Sequence, residues 1–167
     1  MTTTTLHGTI HVERSMIINR PPDEVYRFWR DFTNLPRFMQ HLQSVEVQDG
    51  RRSHWITKAP AGTTVEWDAE VIHEIEDDTI AWQSVGETNV PNAGSVRFLP
   101  ADGGQATEVK ITLNYDPPAG KFGDIIAKLF GEAPDQQVRD DLRRLKQLLE
   151  AGETATIEGQ PRGRCKR

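Results

Sequence analysis

Ala119–Glu150, AGKFGDIIAKLFGEAPDQQVRDDLRRLKQLLE, is the one long stretch of this 167-residue chain that carries a helical apolar face. Phe122, Ile125, Ile126, Leu129 and Phe130 recur at helical offsets, and Val138, Leu142, Leu145 and Leu149 resume the stripe after a break at Gly131-Glu132-Ala133-Pro134. Burying such side chains is worth roughly 1.5–3 kcal/mol each before entropy, so the face needs a cover. The residues before it supply strand patterns in quantity. The expected architecture is a curved antiparallel sheet gripping a C-terminal helix, with room for a ligand between them.

Upstream, apolar and polar residues alternate. Ile10, Val12, Met16 and Ile18 share one side of a first strand, with His11, Glu13 and Ser15 on the other, and Arg14 falls on the apolar side. Either Arg14 enters the interior to meet an acidic or carbonyl group, or a bulge shifts the phase. Pro22-Asp23-Glu24 suits a helix N-terminus, and Val25, Phe28, Trp29 and Phe32 mark one helical face. Leu35-Pro36 starts a second short helix carrying Phe38, Met39 and Leu42.

From Gln43 the chain reads as strand and turn, with Asp49-Gly50 as a hairpin signal. Val65, Trp67, Ala69 and Val71 form one face of the clearest strand, opposite an outward acidic ladder of Glu66, Asp68, Glu70 and Glu74. Ile80, Trp82 and Ser84 point one way on the next strand. Gly94–Leu99 and Val109–Tyr115 complete the set. The inventory is an α+β domain over 10–150 with about seven strands in meander order and two short helices after the first. A flexible N-terminus over 1–9 and a polar, basic, loosely ordered tail over 151–167 flank it.

Composition excludes several classes. A hydrophobic fraction of 36% with 27% charged residues, and no apolar run near the roughly 18 residues of a membrane span, argue against stable membrane insertion. The net charge of -5 argues against a nucleic-acid binder, which needs a concentrated positive face. Met1-Thr2-Thr3-Thr4-Thr5 lacks the basic and apolar segments of a signal peptide, and the single Cys165 closes no internal disulfide, so a cytoplasmic protein is expected. No metal or cofactor is expected: His7 and His11 have no companions to complete a shell, and Gly120-Lys121 lacks P-loop spacing.

The order of elements and several local phrases together resemble the START-like, or SRPBCC, superfamily of the helix-grip (START/Bet v 1-like) fold. The polyketide cyclase/dehydrase and coenzyme Q-binding branch is the most similar. The residues that carry the resemblance are Pro21 to Trp29, Asn34 to Met39, Trp67-Asp68-Ala69-Glu70, Ile80 to Ser84, Gly94 to Phe98, Thr107-Glu108-Val109 and Asp141 to Lys146. The resemblance implies a deep apolar cavity between sheet and C-terminal helix, holding a hydrophobic small molecule such as a lipid, quinone or polyketide-like aromatic. It also implies an alternative, a polyketide aromatase/cyclase that uses polar residues in the same cavity.

Trp67, Trp82 and Phe98 lie in the apolar phase of their strands and are candidate ligand contacts, with Trp55 beside them although Ile56 competes for the inward direction. Phe122, Ile126, Leu129, Phe130, Leu142 and Leu145 are the expected helical wall, and Phe38 and Met39 the expected closure of one end. Tyr115 and Ser84 are placed to donate to a ligand carbonyl, and Arg14 to meet an acidic group. No catalytic residue is assigned: His41, His54 and His73 read as surface or satisfied core histidines.

Overall fold

Alternation in the sequence becomes seven strands: β1 (Ile10–Ile18), β2 (Leu42–Val47), β3 (Arg52–Lys58), β4 (Thr64–Ile75), β5 (Thr79–Val85), β6 (Asn92–Ala101) and β7 (Ala106–Tyr115). The computed structural model describes residues 10–58, 62–88, 91–115 and 134–151. The strands form one antiparallel sheet in the order β1-β7-β6-β5-β4-β3-β2, so that only the β1–β7 pairing joins strands distant in sequence. The sheet curls into a half-barrel, and α2 (Pro134–Glu150) packs on its concave side against β1. The helix-grip architecture expected from the sequence is the one observed. The stripe over 119–133, including Phe122, Ile126, Leu129 and Phe130, lies outside the described residues.

α1 (Pro22–Arg30) begins at a proline whose missing N–H costs nothing in the first turn, with Asp23 and Glu24 at its positive end and Arg27 and Arg30 at its negative end. Its buried face, Val25, Tyr26 and Trp29, sits on β6, where Phe98 meets Tyr26 and Trp29 edge-on at ring separations of 5.8 and 6.2 Å. The second short helix is a 3-10 segment, Phe32–Arg37, and not a helix running through Leu42. Asp31 starts it by accepting the Thr33 N–H (3.2 Å) and hydroxyl (2.6 Å). Pro36 has no N–H to continue an α-helical ladder, so Phe38 and Met39 follow as a connection and Leu42 opens β2.

Two registers settle questions left open by alternation. β1 pairs with β7 without interruption from Ile10↔Tyr115 to Ile18↔Thr107, which removes the bulge reading and leaves Arg14 half-buried in phase with Val12 and Met16. β4, in contrast, is bulged between Val71 and His73, and beyond it Glu74 stands opposite Ile80, on the side of the sheet that carries the first helix although it stays exposed. Glu74 is therefore no member of the outward acidic ladder. It lies under α1, accepting from the Tyr26 hydroxyl and from Arg30 Nε at 2.9 Å, while Arg30 also reaches the Gly50 carbonyl at 2.6 Å. Within that knot burial and the Glu74 carboxylate push the Tyr26 phenol up, while bonds to Tyr26 and Arg30 outweigh desolvation and lower Glu74.

The far end of α2 is tied to the exit of β1. Lys146 Nζ donates to the Ile17 carbonyl (3.0 Å), the Asn19 N–H to Glu150 Oε2 (2.8 Å), and Arg20 to the Glu150 carbonyl (3.0 Å). With Val138, Leu142, Leu145 and Leu149 all buried, these bonds fix how far the helix stands above the strands.

Candidate functional site

The concave face is not completely filled. A cavity lies between β3–β7, the connection after the 3-10 segment and the first half of α2, and the space open to the centre of a water molecule is about 60 Å³. The sheet contributes Trp55, Trp67, Trp82, Ile111 and Leu113, with Asn92, Ala93 and Asn114 at the strand ends. The lid contributes Trp29, Phe38, Met39, His41 and Leu42, and α2 contributes Val138, Asp141 and Leu142. All 4 tryptophans of the chain are in this wall.

Three of them form a layered surface. Trp55 stacks on Trp67 and on Trp82 with centroids 6.1 Å apart in both pairs and planes within 26° and 27°. Small neighbours make this possible: Ala69 lies between Ser53 and Ser84 on the adjoining strands, and Gly94 is paired with Trp82. Phe32 props the layer edge-on, 5.9 Å from Trp55 and 6.0 Å from Trp82. Each aromatic pair contributes about 0.5–1.5 kcal/mol beyond its burial. The Trp55 indole N–H is satisfied by Ser53 Oγ at 2.8 Å, whereas the buried N–H groups of Trp29 and Trp67 have no acceptor among the described residues. A buried unsatisfied donor costs about 1–3 kcal/mol.

The opposite pole is ionisable. Asp141 is only 3% exposed, and Arg144 NH2 donates to it at 2.6 Å while Arg144 Nε donates to the Phe38 carbonyl at 3.0 Å. Its second oxygen stands 3.9 Å from His41 Nδ1. Burial raises Asp141 to about 6 against the opposing pull of Arg144 and the Gln40 N–H. Burial, followed by the charges of Arg144 and Lys58, lowers His41 to about 4, so its imidazole is neutral at pH 7. An apolar, indole-walled space closed by a neutral imidazole and a carboxyl poised near neutrality suits an uncharged molecule with rings and a few oxygens.

Residues 18–143 match the model of the family described as polyketide cyclase / dehydrase and lipid transport. The chain belongs to this family. It is 30% identical over 141 residues, 83% of this chain and 89% of the other, to an uncharacterized 17.2 kDa protein of the melC2-rnhH intergenic region of Streptomyces lincolnensis. A crystal structure from Deinococcus radiodurans is 39% identical, with a TM-score of 0.69 over 86% of this chain and 98% of that one. The Zhui aromatase/cyclase of Streptomyces sp. R1128 shares the fold at 17% identity, with a TM-score of 0.68 over 90% and 98%. Membership of this polyketide cyclase and lipid-transport family supports a hydrophobic-ligand-binding or cyclase role. Among the described residues no helix is long and apolar enough to cross a membrane.

Of the family member's expected contacts, Trp55, Trp67, Trp82, Phe38, Met39 and Leu142 are brought together around the cavity. Phe98 and Leu145 are fully buried elsewhere, Phe98 under α1 and Leu145 further along the core stripe of α2. Ser84 accepts the Asn92 N–H at 3.1 Å and faces an outer depression with Gly86 and Pro91. Arg14 is on the inner side of β1 but is not among the lining residues. The backbone of Tyr115 ends β7, and its side chain lies outside the described residues. Trp29, His41 and Asp141 were missed as site residues. For Asp141 a signal existed: it falls three residues after Val138 and four before Leu145, a charge in phase with the apolar stripe.

Proposed function

We propose that this chain binds a compact, uncharged hydrophobic molecule containing flat rings, and that its work is transport, sequestration or presentation of that molecule. One observation carries the reading: every tryptophan of the chain lines a single cavity, and among three of the four, Trp55 stacks on both Trp67 and Trp82 with planes inclined by 26° and 27°. Stacked indoles favour a quinone or polyketide-like aromatic over an acyl chain, because ring faces gain from offset stacking and methylenes do not. Organic extraction of the purified protein, with mass spectrometry of what co-purifies, tests it. An aromatic or quinoid compound at near-equal molar amount is expected. No such compound, together with no thermal stabilisation by any of a panel of lipids, quinones and aromatic polyketides, would overturn it.

The His41–Asp141 pole favours a second reading, an aromatase/cyclase. A carboxyl with a proton affinity near neutrality, lining an apolar space, is able to exchange a proton with a ketone or enol. Turnover of a linear poly-ketone that is lost in Asp141→Asn while binding is retained would establish it; equal product patterns with and without the protein would remove it.

A further inference from the structure

We propose that filling the cavity loads a proton onto Asp141, so that the protein holds its ligand more tightly as pH falls from about 8 to about 6 and releases it as pH rises again. This rests on the ligand-binding reading above and adds to it how occupancy is regulated.

Asp141 is the one carboxyl among the described residues that line the cavity, and its side chain is 4% exposed. Arg144 NH2 donates to one of its oxygens at 2.6 Å, and the Gln40 N–H bonds to it as well. The other charged groups facing this pole are Asp140 on α2 and Lys58 at the end of β3, whose backbone N–H donates to the His41 carbonyl at 2.9 Å. His41 Nδ1 stands 3.9 Å from the second carboxylate oxygen, and its ring, lowered to about 4, is neutral throughout the pH range of the proposal.

The space beside these groups, about 60 Å³ to the centre of a water molecule, admits more than one water, since each needs only about 10–15 Å³ on that measure. An apolar guest replaces that water with hydrocarbon, and the lost solvation penalises the carboxylate but not the carboxylic acid. The same loss strengthens the attraction of Arg144, but the guanidinium is 30% exposed and stays screened from outside. Desolvation is already the largest influence on Asp141, outweighing Arg144 and holding the carboxyl at about 6. A guest therefore raises it further, and binding near pH 7 takes up part of a proton. Affinity is then greatest where the carboxyl is protonated both before and after binding, and it falls as pH rises through about 6 toward the higher value in the complex.

Naphthalene and biphenyl, flat molecules without a titratable group, are the probes, and isothermal calorimetry on the full chain reads their dissociation constants across that pH range. Wild-type affinity is expected to weaken about three- to tenfold from about pH 6 to about pH 8, and affinity in Asp141→Asn to stay level. Near neutral pH, binding should be less exothermic in Tris than in phosphate, because a proton drawn from Tris costs heat. Carbon-13 NMR of aspartate-labelled protein follows the Asp141 carboxyl itself, which keeps the test open if the variant fails to fold: its midpoint should lie higher with bound probe than without. A wild-type affinity that is level or that strengthens as pH rises, or a carboxyl midpoint unmoved by the probe, overturns this inference and leaves the ligand-binding reading standing. So does a pH dependence undiminished in Asp141→Asn. Failure of both probes to bind at any pH removes both.

Discussion

Trp82 occupies the space in which a side chain at Gly94 would stand: a Cβ built on Gly94 would meet Trp82 Cζ2 at 2.6 Å, Cε2 at 2.8 Å and Leu113 Cδ2 at 2.9 Å. Leu113 can yield, being the end of a flexible chain, but the indole is held by Trp55 and Phe32. Gly94→Ala is therefore expected to destabilise the protein by about 1–3 kcal/mol, read by urea denaturation, and to weaken ligand binding by displacing one layer of the wall. An unchanged midpoint would mean that Trp82 moves without cost.

The two titrating groups at the cavity pole act on stability with opposite sign. Asp141 is raised from 3.8 to about 6, so its contribution is fully present below pH 3.8 and is lost as pH rises through about 6. His41 is lowered from 6.5 to about 4, so its contribution is present above pH 6.5 and is lost as pH falls through about 4. Each effect is worth roughly 3 kcal/mol, and over pH 4–6 they largely cancel. Wild-type stability is expected to vary little there on their account. Asp141→Asn should uncover a rise in stability with pH and His41→Gln a fall, measured by denaturant midpoints; parallel curves for all three proteins would refute the assignment.

Arg144 joins helix to lid, bonding Asp141 with one nitrogen and the Phe38 carbonyl with another. Arg144→Met leaves a buried carboxylate without its cation, a loss of roughly 3 kcal/mol. Asp141 should then titrate above about 6, since the guanidinium is the main influence holding it down. Amide exchange is expected to quicken at Met39 and Leu42 before it does in β6, because the connection loses its tie to α2 while the sheet keeps its ladder.

On the convex surface His54 gives Nδ1 to Asp68 at 2.7 Å and Nε2 to Glu66 at 2.8 Å. Two carboxylates accepting from one ring require the doubly protonated form, and these bonds, Asp68 first, raise its pKa above 6.5. The associated stability is complete below pH 6.5 and is lost as pH rises through the folded value. An NMR titration should place the His54 midpoint above 6.5 and that of His41 near about 4; a midpoint for His54 at or below 6.5 would contradict the geometry.

Much of this was readable because period-two alternation is imposed by the pleat itself. Val65, Trp67, Ala69 and Val71 announce β4 and its inward face, and the same phase rule puts Trp55 inside once Ser53 and Thr57 are seen to be buried beside it. The rule fails where the backbone inserts a residue. Nothing in Val71-Ile72-His73 marks the bulge, so the sequence does not show that Glu74, although exposed, changes side and anchors α1. His41 escaped for a different reason: it lies between a 3-10 segment and a strand, where no periodicity assigns a face, and only the fold brings it to Asp141 across a hundred residues of chain.

Because the wall holds all 4 indoles, essentially all of the protein's near-ultraviolet emission originates at the surface an occupant would touch. The chain thus carries its own optical gauge of occupancy. Quenching by a quinoid guest, or a colour shift from a non-absorbing one, would report filling without any label, and a spectrum indifferent to every guest would speak against an interior that receives one.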